Sequence, residues 1–179
     1  MFDTLWRFVL RRHITVVQEC SELEHVFNLI QGCGSYLEIG TAEGNSLYVL
    51  AHALKPGAKI TSVDLGENHT RPYVNEVIGL LNPEYTVARY TGDSTKPDTY
   101  PQMEKHEVVL IDGGHDYDTV LSDCRMYAPL ATKYLLFHDV MLPDVRRAMN
   151  DFLNNFSTAW HYSEFINSPT MGYGIVEIL

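Results

Sequence analysis

The sequence predicts a doubly wound α/β fold, and three observations predict it. Short apolar runs alternate with helical patterns along the chain. Five of those runs end at a carboxylate: Glu38, Asp64, Asp93, Asp112 and Asp139. Two further strand-like runs, joined by a short loop containing proline and glycine, close the sequence. Such alternation places crossover helices on both faces of parallel strands. The expectation is a three-layer sandwich around a mostly parallel seven-stranded sheet with an antiparallel last strand. All 179 residues are expected to form a single domain, with residues 1–34 as a helical segment packed on it.

Each element has a local reason. Ser21 and Glu24 in SELEHVFNLIQG have the spacing of a capping box that opens a helix, with Gly32 as its stop. SYLEIG is a short apolar strand, and NSLYVLAHALKPG a helix expected to end at Lys55, before Pro56 and Gly57. KITSVDLG is the next strand. RPYVNEVIGLL begins with Pro72 in the first helical turn and stops before Asn82-Pro83. YTVARYTGD is the third strand. EVVLIDGG is the fourth, free of charge from Val108 to Ile111, as befits a strand covered on both faces. DTVLSDCRMYAPLA is helical and KYLLFHDV is the fifth strand. DVRRAMNDFLNNF carries Val145, Ala148, Met149, Phe152 and Phe156 on one stripe of a helix. AWHYSEF and GYGIVEIL are the last two strands.

Composition narrows the function. Lys+Arg total 13 against 23 Asp+Glu, a net charge of −10. That argues against a nucleic-acid groove, because binding phosphates needs a cationic surface. Apolar residues make up 45 % of the chain, so it is neither disordered nor fibrous. Cys20, Cys33 and Cys124 have no CxxC spacing and are expected as reduced thiols of a cytoplasmic protein, mostly in the core. No apolar run approaches the ~18 residues of a membrane span. In MFDTLWRFVLRRHITVV an arginine pair interrupts the apolar patch, against a signal peptide. That segment is expected to pack on the domain or a partner rather than lie on a membrane surface.

The stretch YLEIGTAEGNSLYVL sets Glu38 at a strand end and Gly40 and Gly44 in the turn that follows. Its spacing, E-x-G-x-x-x-G, is not the dinucleotide fingerprint, and no P-loop occurs. A phosphate cradle needs amides with cations nearby, whereas this turn carries Glu38 and Glu43. It suits a nucleoside with a positively charged tail.

LEIGTAEGNS resembles motif I of the class I S-adenosylmethionine-dependent methyltransferases, and the likeness runs over roughly residues 20 to 179. SVDLG stands where those enzymes place the acid for the ribose diol, and TGDS where they contact adenine. LIDGGHDYDTVLSDCRMYAPLATKYLLFHDV is similar to a subgroup holding macrocin-type sugar O-methyltransferases and cephalosporin hydroxylase-like proteins. The resemblance implies a Rossmann-like domain that binds S-adenosylmethionine through Glu38, Gly40, Thr41, Gly44, Asn45, Ser46, Asp64, Leu65, Asp93, Ser94 and Asp112. Gly40 and Gly44 are expected to let the backbone approach the methionine part, where a Cβ would clash. Glu38 is expected to receive the ammonium and Asp64 both ribose hydroxyls, with Asp93 and Ser94 at the adenine.

At the acceptor end the resemblance implies methyl transfer to a hydroxyl of a small molecule. A positioned base is worth ~10²–10⁴ in rate. His115, three residues past Asp112, stands where the catechol-type enzymes carry theirs, and an imidazole titrates near working pH. His115 and Asp112 are the candidate catalytic residues. Related cation-dependent enzymes hold Mg²⁺ with an acid after the fourth strand and an acidic or amide pair after the fifth. Asp112 and Asp139 match that pattern and His138 departs from it. Asp112, His138 and Asp139 are the candidate ligands of Mg²⁺ or of a softer divalent cation. Strand alternation predicts that His138 turns away if Asp139 faces the crevice. The other histidines, His13, His25, His52, His69, His106 and His161, form no ligand spacing. The first twenty residues, GENHTRPY and INSPTMGYG are the only candidate acceptor lids, so a homodimer is expected to close the site. Two other functions compete: a non-catalytic protein or partner subunit that binds S-adenosylmethionine or S-adenosylhomocysteine, and a nicotinamide oxidoreductase, disfavoured by the missing fingerprint.

Overall fold

The computed structural model describes residues 1–11, 18–66, 71–81, 83–96 and 103–179. His13, His69 and the 67–70 part of GENHTRPY lie outside the described residues. The strands are β1 (Ser35–Ile39), β2 (Lys59–Asp64), β3 (Thr86–Thr91), β4 (His106–Ile111), β5 (Ala131–Phe137), β6 (Trp160–Phe165) and β7 (Tyr173–Ile178). They form one sheet in the order β3-β2-β1-β4-β5-β7-β6. Neighbours among β1 to β5 pair in parallel, and β7 runs antiparallel to both β5 and β6. The strand order reverses between β1 and β4, which is where such sheets open a crevice beyond their carboxyl ends.

The helices are α1 (Phe2–Arg11), α2 (Cys20–Leu29), α3 (Asn45–Ala51), α4 (Arg71–Leu81), α5 (Tyr117–Tyr127) and α6 (Pro143–Leu153). Helices α1 to α4 bury Val9, Phe27, Leu50 and Val77 against Tyr36, Val108, Leu110 and Leu136 of the sheet. Helices α5 and α6 bury Val120, Cys124, Val145 and Met149 against Leu37, Val109, Leu135 and Phe137 on the other face. Consecutive strand residues thus enter opposite layers, the period of two that a strand imposes. Val108 to Ile111 are buried throughout, as their lack of charge predicts. Each such aliphatic side chain contributes roughly 1.5–3 kcal/mol on burial. The stripe on α6 holds: Val145, Ala148 and Met149 are buried, and Phe152 and Phe156 pack on the same core. Cys33 and Cys124 are buried free thiols and Cys20 is half-buried. Among the described residues no helix is long and apolar enough to cross a membrane.

Two local expectations are corrected. Helix α2 is capped by Glu19, whose carboxylate accepts from the Glu22 amide at 3.0 Å and also from the Ser21 hydroxyl. Ser21 therefore serves the cap rather than forming it. Glu22 is buried, and its carboxylate accepts from the amides of Asn167 and Ser168 at 2.7 and 2.8 Å, tying the β6–β7 loop to α2. Helix α3 ends at Ala51 instead of Lys55. The amides of His52, Ala53 and Leu54 each bond three residues back, so the last turns tighten, and the Ala53 carbonyl is taken by the Gly32 amide. By contrast α4 has the bounds its sequence pattern predicts.

Candidate active site

The turn after β1 is built from left-handed backbone, with φ of 91° at Gly40, 46° at Ala42 and 82° at Gly44. A Cβ on Gly40 would stand 1.9 Å from the Asp112 carbonyl oxygen, and one on Gly44 would stand 3.3 Å from the Val77 side chain. The glycines therefore have an internal reason, different from the expected clash with a ligand. Gly40 lets the tops of β1 and β4 touch, and Gly44 lets α3 start against α4. Asp64 at the end of β2 holds the turn, its Oδ2 accepting from the Ala42 amide at 2.8 Å and its Oδ1 from the Gly66 amide at 2.6 Å. Thr41 and Ser62 join their hydroxyls at 2.7 Å below it.

Glu38 is fully buried under this turn, where its Oε1 accepts from the Ser46 hydroxyl at 2.5 Å. Burial pushes its carboxyl up to about 8 against the pull of the Ser46 hydrogen bond, with the Asp112 charge adding to the rise. Burial thus favours its protonated form. Glu38 lies beneath the turn and ties it to the first turn of α3 through Ser46.

A cavity of about 530 Å³ opens beyond the ends of β1 to β4. Gly40, Asp64, Leu65, Asp93, Ser94 and Asp112 line it. Glu38, Thr41, Gly44, Asn45 and Ser46 do not, because they form the turn and the first helical turn behind it. The sequence reading missed Thr95, Gly113, Gly114 and Thr119 on its wall. The double glycine of IDGG was the available signal. Among the described residues no lysine or arginine lines it. Asp93 is fixed by Thr95, whose amide and hydroxyl donate to its Oδ1 at 3.0 and 2.6 Å. Those bonds, with Lys96 at 3.3 Å, keep its carboxyl below the usual range.

At the neighbouring end of β4 and β5 lies a cluster of acids and histidines. Alternation continues past the strands, so Glu38, Asp112 and His138 all lie on the α1–α4 side of the sheet. Asp139 should then point the other way. It does not, because its φ of 55° is left-handed, a conformation aspartate tolerates better than most residues. The expected either/or between His138 and Asp139 is thereby overturned, and both side chains meet Asp112. His138 Nδ1 lies 3.0 Å from Asp112 Oδ1 and 3.3 Å from Asp139 Oδ2. Burial alone would lower His138, but the charges and hydrogen bonds of Asp112 and Asp139 outweigh it and push it up to about 10. His115, half-exposed, sets Nε2 at 3.0 Å from Asp139 Oδ2. The bond to Asp139 raises His115 against the opposing effect of burial. Asp139 is itself depressed, because the bonds from both imidazoles outweigh its desolvation. Asp116 next door caps α5 by accepting from the Thr119 amide at 3.0 Å, so His115 is free of that duty.

Two residues that the sequence did not single out complete the cluster. Gln18 Nε2 donates to Asp112 Oδ2 at 3.0 Å, and the buried Tyr173 hydroxyl donates to Gln18 Oε1 at 2.7 Å. The remaining histidines pack elsewhere: His106 is buried beside Thr61, His25 stacks on Phe165 and His52 bonds the Tyr48 carbonyl.

Comparison with known proteins agrees with this architecture. An O-methyltransferase from Bacillus cereus, solved with S-adenosylhomocysteine, superposes with a TM-score of 0.72 at 15% identity, over 99% of this chain and 90% of that one. TomG from Streptomyces achromogenes, an O-methyltransferase of tomaymycin synthesis solved with S-adenosylmethionine, gives 0.72 at 14% identity, over 99% and 88%. An rRNA methylase from Streptococcus thermophilus gives 0.62 at 11% identity, over 92% and 99%. At such identities the likeness is one of fold. No curated protein sequence matches the chain. Residues 37–140, more than half of its length, match the sequence family described as a methyltransferase domain. With its seven-stranded sheet and switch-point cavity, the chain belongs to the methyltransferase-domain family, of the S-adenosylmethionine-dependent class I type.

Proposed function

We propose that the protein transfers a methyl group to a hydroxyl of a small molecule, with S-adenosylmethionine in the cavity at the ends of β1 to β4. The observation that carries this reading is the cavity wall, which has carboxylates at the ends of β2, β3 and β4 and, among the described residues, no lysine or arginine. That wall suits a cationic nucleoside and disfavours a pyrophosphate. Its 530 Å³ is in the range of small-molecule sites. Asp64 spends one lone pair of each oxygen on a backbone amide and keeps the others for a ribose diol. Asp93 and Ser94 face the base. The net charge of −10 supports a small acceptor over a nucleic acid.

His115 and Asp139 form the base in this proposal. With Nε2–H held by Asp139, the Nδ1 of His115 is the atom left to take the acceptor's proton, and the carboxylate stabilises the imidazolium that results. When bound, S-adenosylmethionine supplies the methyl group, and a divalent cation lowers the pKa of a hydroxyl it coordinates. The donor atoms of Asp112, His138 and Asp139 lie within 4.8 Å of one another and fit such an ion. Two carboxylates and an imidazole suit Mn²⁺, Fe²⁺ or Zn²⁺ better than Mg²⁺. The same two negative charges are balanced by protons on His115 and His138, so protons and a cation compete for this place. A homodimer that covers the open mouth of the cavity belongs to the same proposal.

Calorimetry with S-adenosylmethionine, S-adenosylhomocysteine, ATP and NAD tests the cavity. The first two are expected to bind and the last two to give no heat. Tight binding of ATP or NAD with no response to S-adenosylmethionine would overturn the reading. Label transfer from methyl-labelled cofactor to a panel of hydroxylated small molecules tests the chemistry, and binding without transfer to any of them favours the non-catalytic alternative.

A further inference from the structure

We infer that Gln18 is a positioning residue for Asp112 and thereby sets the cation affinity of the cluster. This inference rests on the cation reading above.

The Gln18 amide is held at both ends. Its Nε2 donates to Asp112 Oδ2 at 3.0 Å and its Oε1 accepts from Tyr173 at 2.7 Å. The orientation is not arbitrary. An ionised carboxylate only accepts, so the NH₂ end must face Asp112, which leaves the carbonyl end for the Tyr173 hydroxyl. Both supports are tied into the fold. Tyr173 is fully buried in β7, with its ring 4.7 Å from that of His138. Gln18 immediately precedes the α2 cap at Glu19, and Glu22 in the first turn of that helix is tied to the β6–β7 loop.

The consequence lies in how Asp112 is shared out. His138 holds Oδ1 and Gln18 holds Oδ2, so the carboxyl plane is fixed from two sides. Asp112 also lines the cofactor cavity, so any rotation would disturb both places. Neutral support suits this task. A lysine at position 18 would neutralise Asp112 and compete with a cation, whereas an amide orients it and leaves its charge available. Groups that orient a metal-binding carboxylate typically alter affinity by roughly 10–100-fold when removed.

Mn²⁺ binding to the full chain, read by the loss of free-ion electron paramagnetic resonance signal, tests this directly. Gln18→Leu is expected to weaken binding about 10–100-fold. Gln18→Glu, equal in shape, also loses the donor to Asp112 but sets a third carboxylate beside the ion, whose charge is expected to outweigh that loss and tighten binding. Opposite signs in two variants of similar volume cannot come from packing. Affinities within twofold of wild type in both variants would overturn the inference. Absence of Mn²⁺ binding to the wild-type protein would overturn the cation reading itself, and this inference with it. Thermal unfolding of each variant confirms that the comparison is made on folded protein.

Discussion

The two halves of the site hold their carboxylates in opposite ways. In the half beyond β2 and β3, Asp64 and Asp93 are fixed mainly by groups of their own turns, with Ala42 reaching across to Asp64. Amides and hydroxyls do not titrate, so the groups that hold these carboxylates keep one pattern as pH changes. In the half beyond β4 and β5, Asp112 and Asp139 are fixed by His115, His138 and Gln18, side chains from three separate segments. Two of those supports gain and lose protons. The first half is a template with fixed charge, and the second is a device whose charge can be exchanged. A binding step needs the former and a proton-moving step the latter.

The comparison breaks most sharply at His115. His115→Ala is expected to lower turnover by ~10²–10⁴ while leaving S-adenosylmethionine affinity in place. Because Asp139 raises His115, the basic form of the wild-type imidazole builds up above its ordinary value of 6.5, so turnover should rise through that higher window and lose this limb in the variant. An unchanged pH profile in His115→Ala would remove the base from the exchangeable half. Gly40→Ala comes next. Its Cβ would meet the Asp112 carbonyl at 1.9 Å on a backbone with φ of 91°. Left-handed strain and overlap together should cost on the order of 3 kcal/mol, measurable by denaturant unfolding. Since that contact joins the two halves, it would damage both.

Asp64→Asn sharpens the contrast from the other side. Asn offers one acceptor oxygen in place of two, so either the Ala42 or the Gly66 amide loses its partner. Cofactor affinity should fall roughly 10–100-fold, with little change in the pH dependence of turnover. Glu38→Gln gives the smallest effect, confined to the window between pH 4.5 and about 8. The folded Glu38 carboxyl lies near 8, above its ordinary 4.5, so its contribution to stability is complete at low pH and is lost as pH rises through 8. His138, near 10 against an ordinary 6.5, acts in the same sense over a later window. The Gln variant should flatten the earlier fall in Tm and leave the later one intact. An identical pH course in both proteins would show that Glu38 is ionised in the folded chain.

The same division explains what could be read from the sequence. The strands, α4, the glycine turn and the acids at the strand ends are written in local pattern, and the structure reproduces them. Asp64 and Asp93 were legible because their turns are local. Glu38 was placed on the right strand, but its burial depends on α3 folding back over it, and its spacing cannot show that. Helix α2 was recognised while its cap was misplaced by two residues, since Glu, Ser and Glu within one turn all offer oxygen. The exchangeable half was legible only in part. Asp112, His115, His138 and Asp139 stood out by motif, but the left-handed residue that unites them follows no period. Gln18 reaches Asp112 from 94 positions away in the chain, Tyr173 holds Gln18 from 155 positions away, and neither carries a motif.

Asp139 carries a consequence for how this family member can vary. Its side chain must be acidic for the two imidazoles, while its main chain demands a conformation that only glycine, asparagine and aspartate accept readily. Electrical demand and conformational demand overlap at a single amino acid. Glutamate would satisfy the first and fail the second, and glycine the reverse. Drift at this position is therefore blocked from two directions, and a homologue with another residue here would need a differently bent loop as well as a different counter-charge.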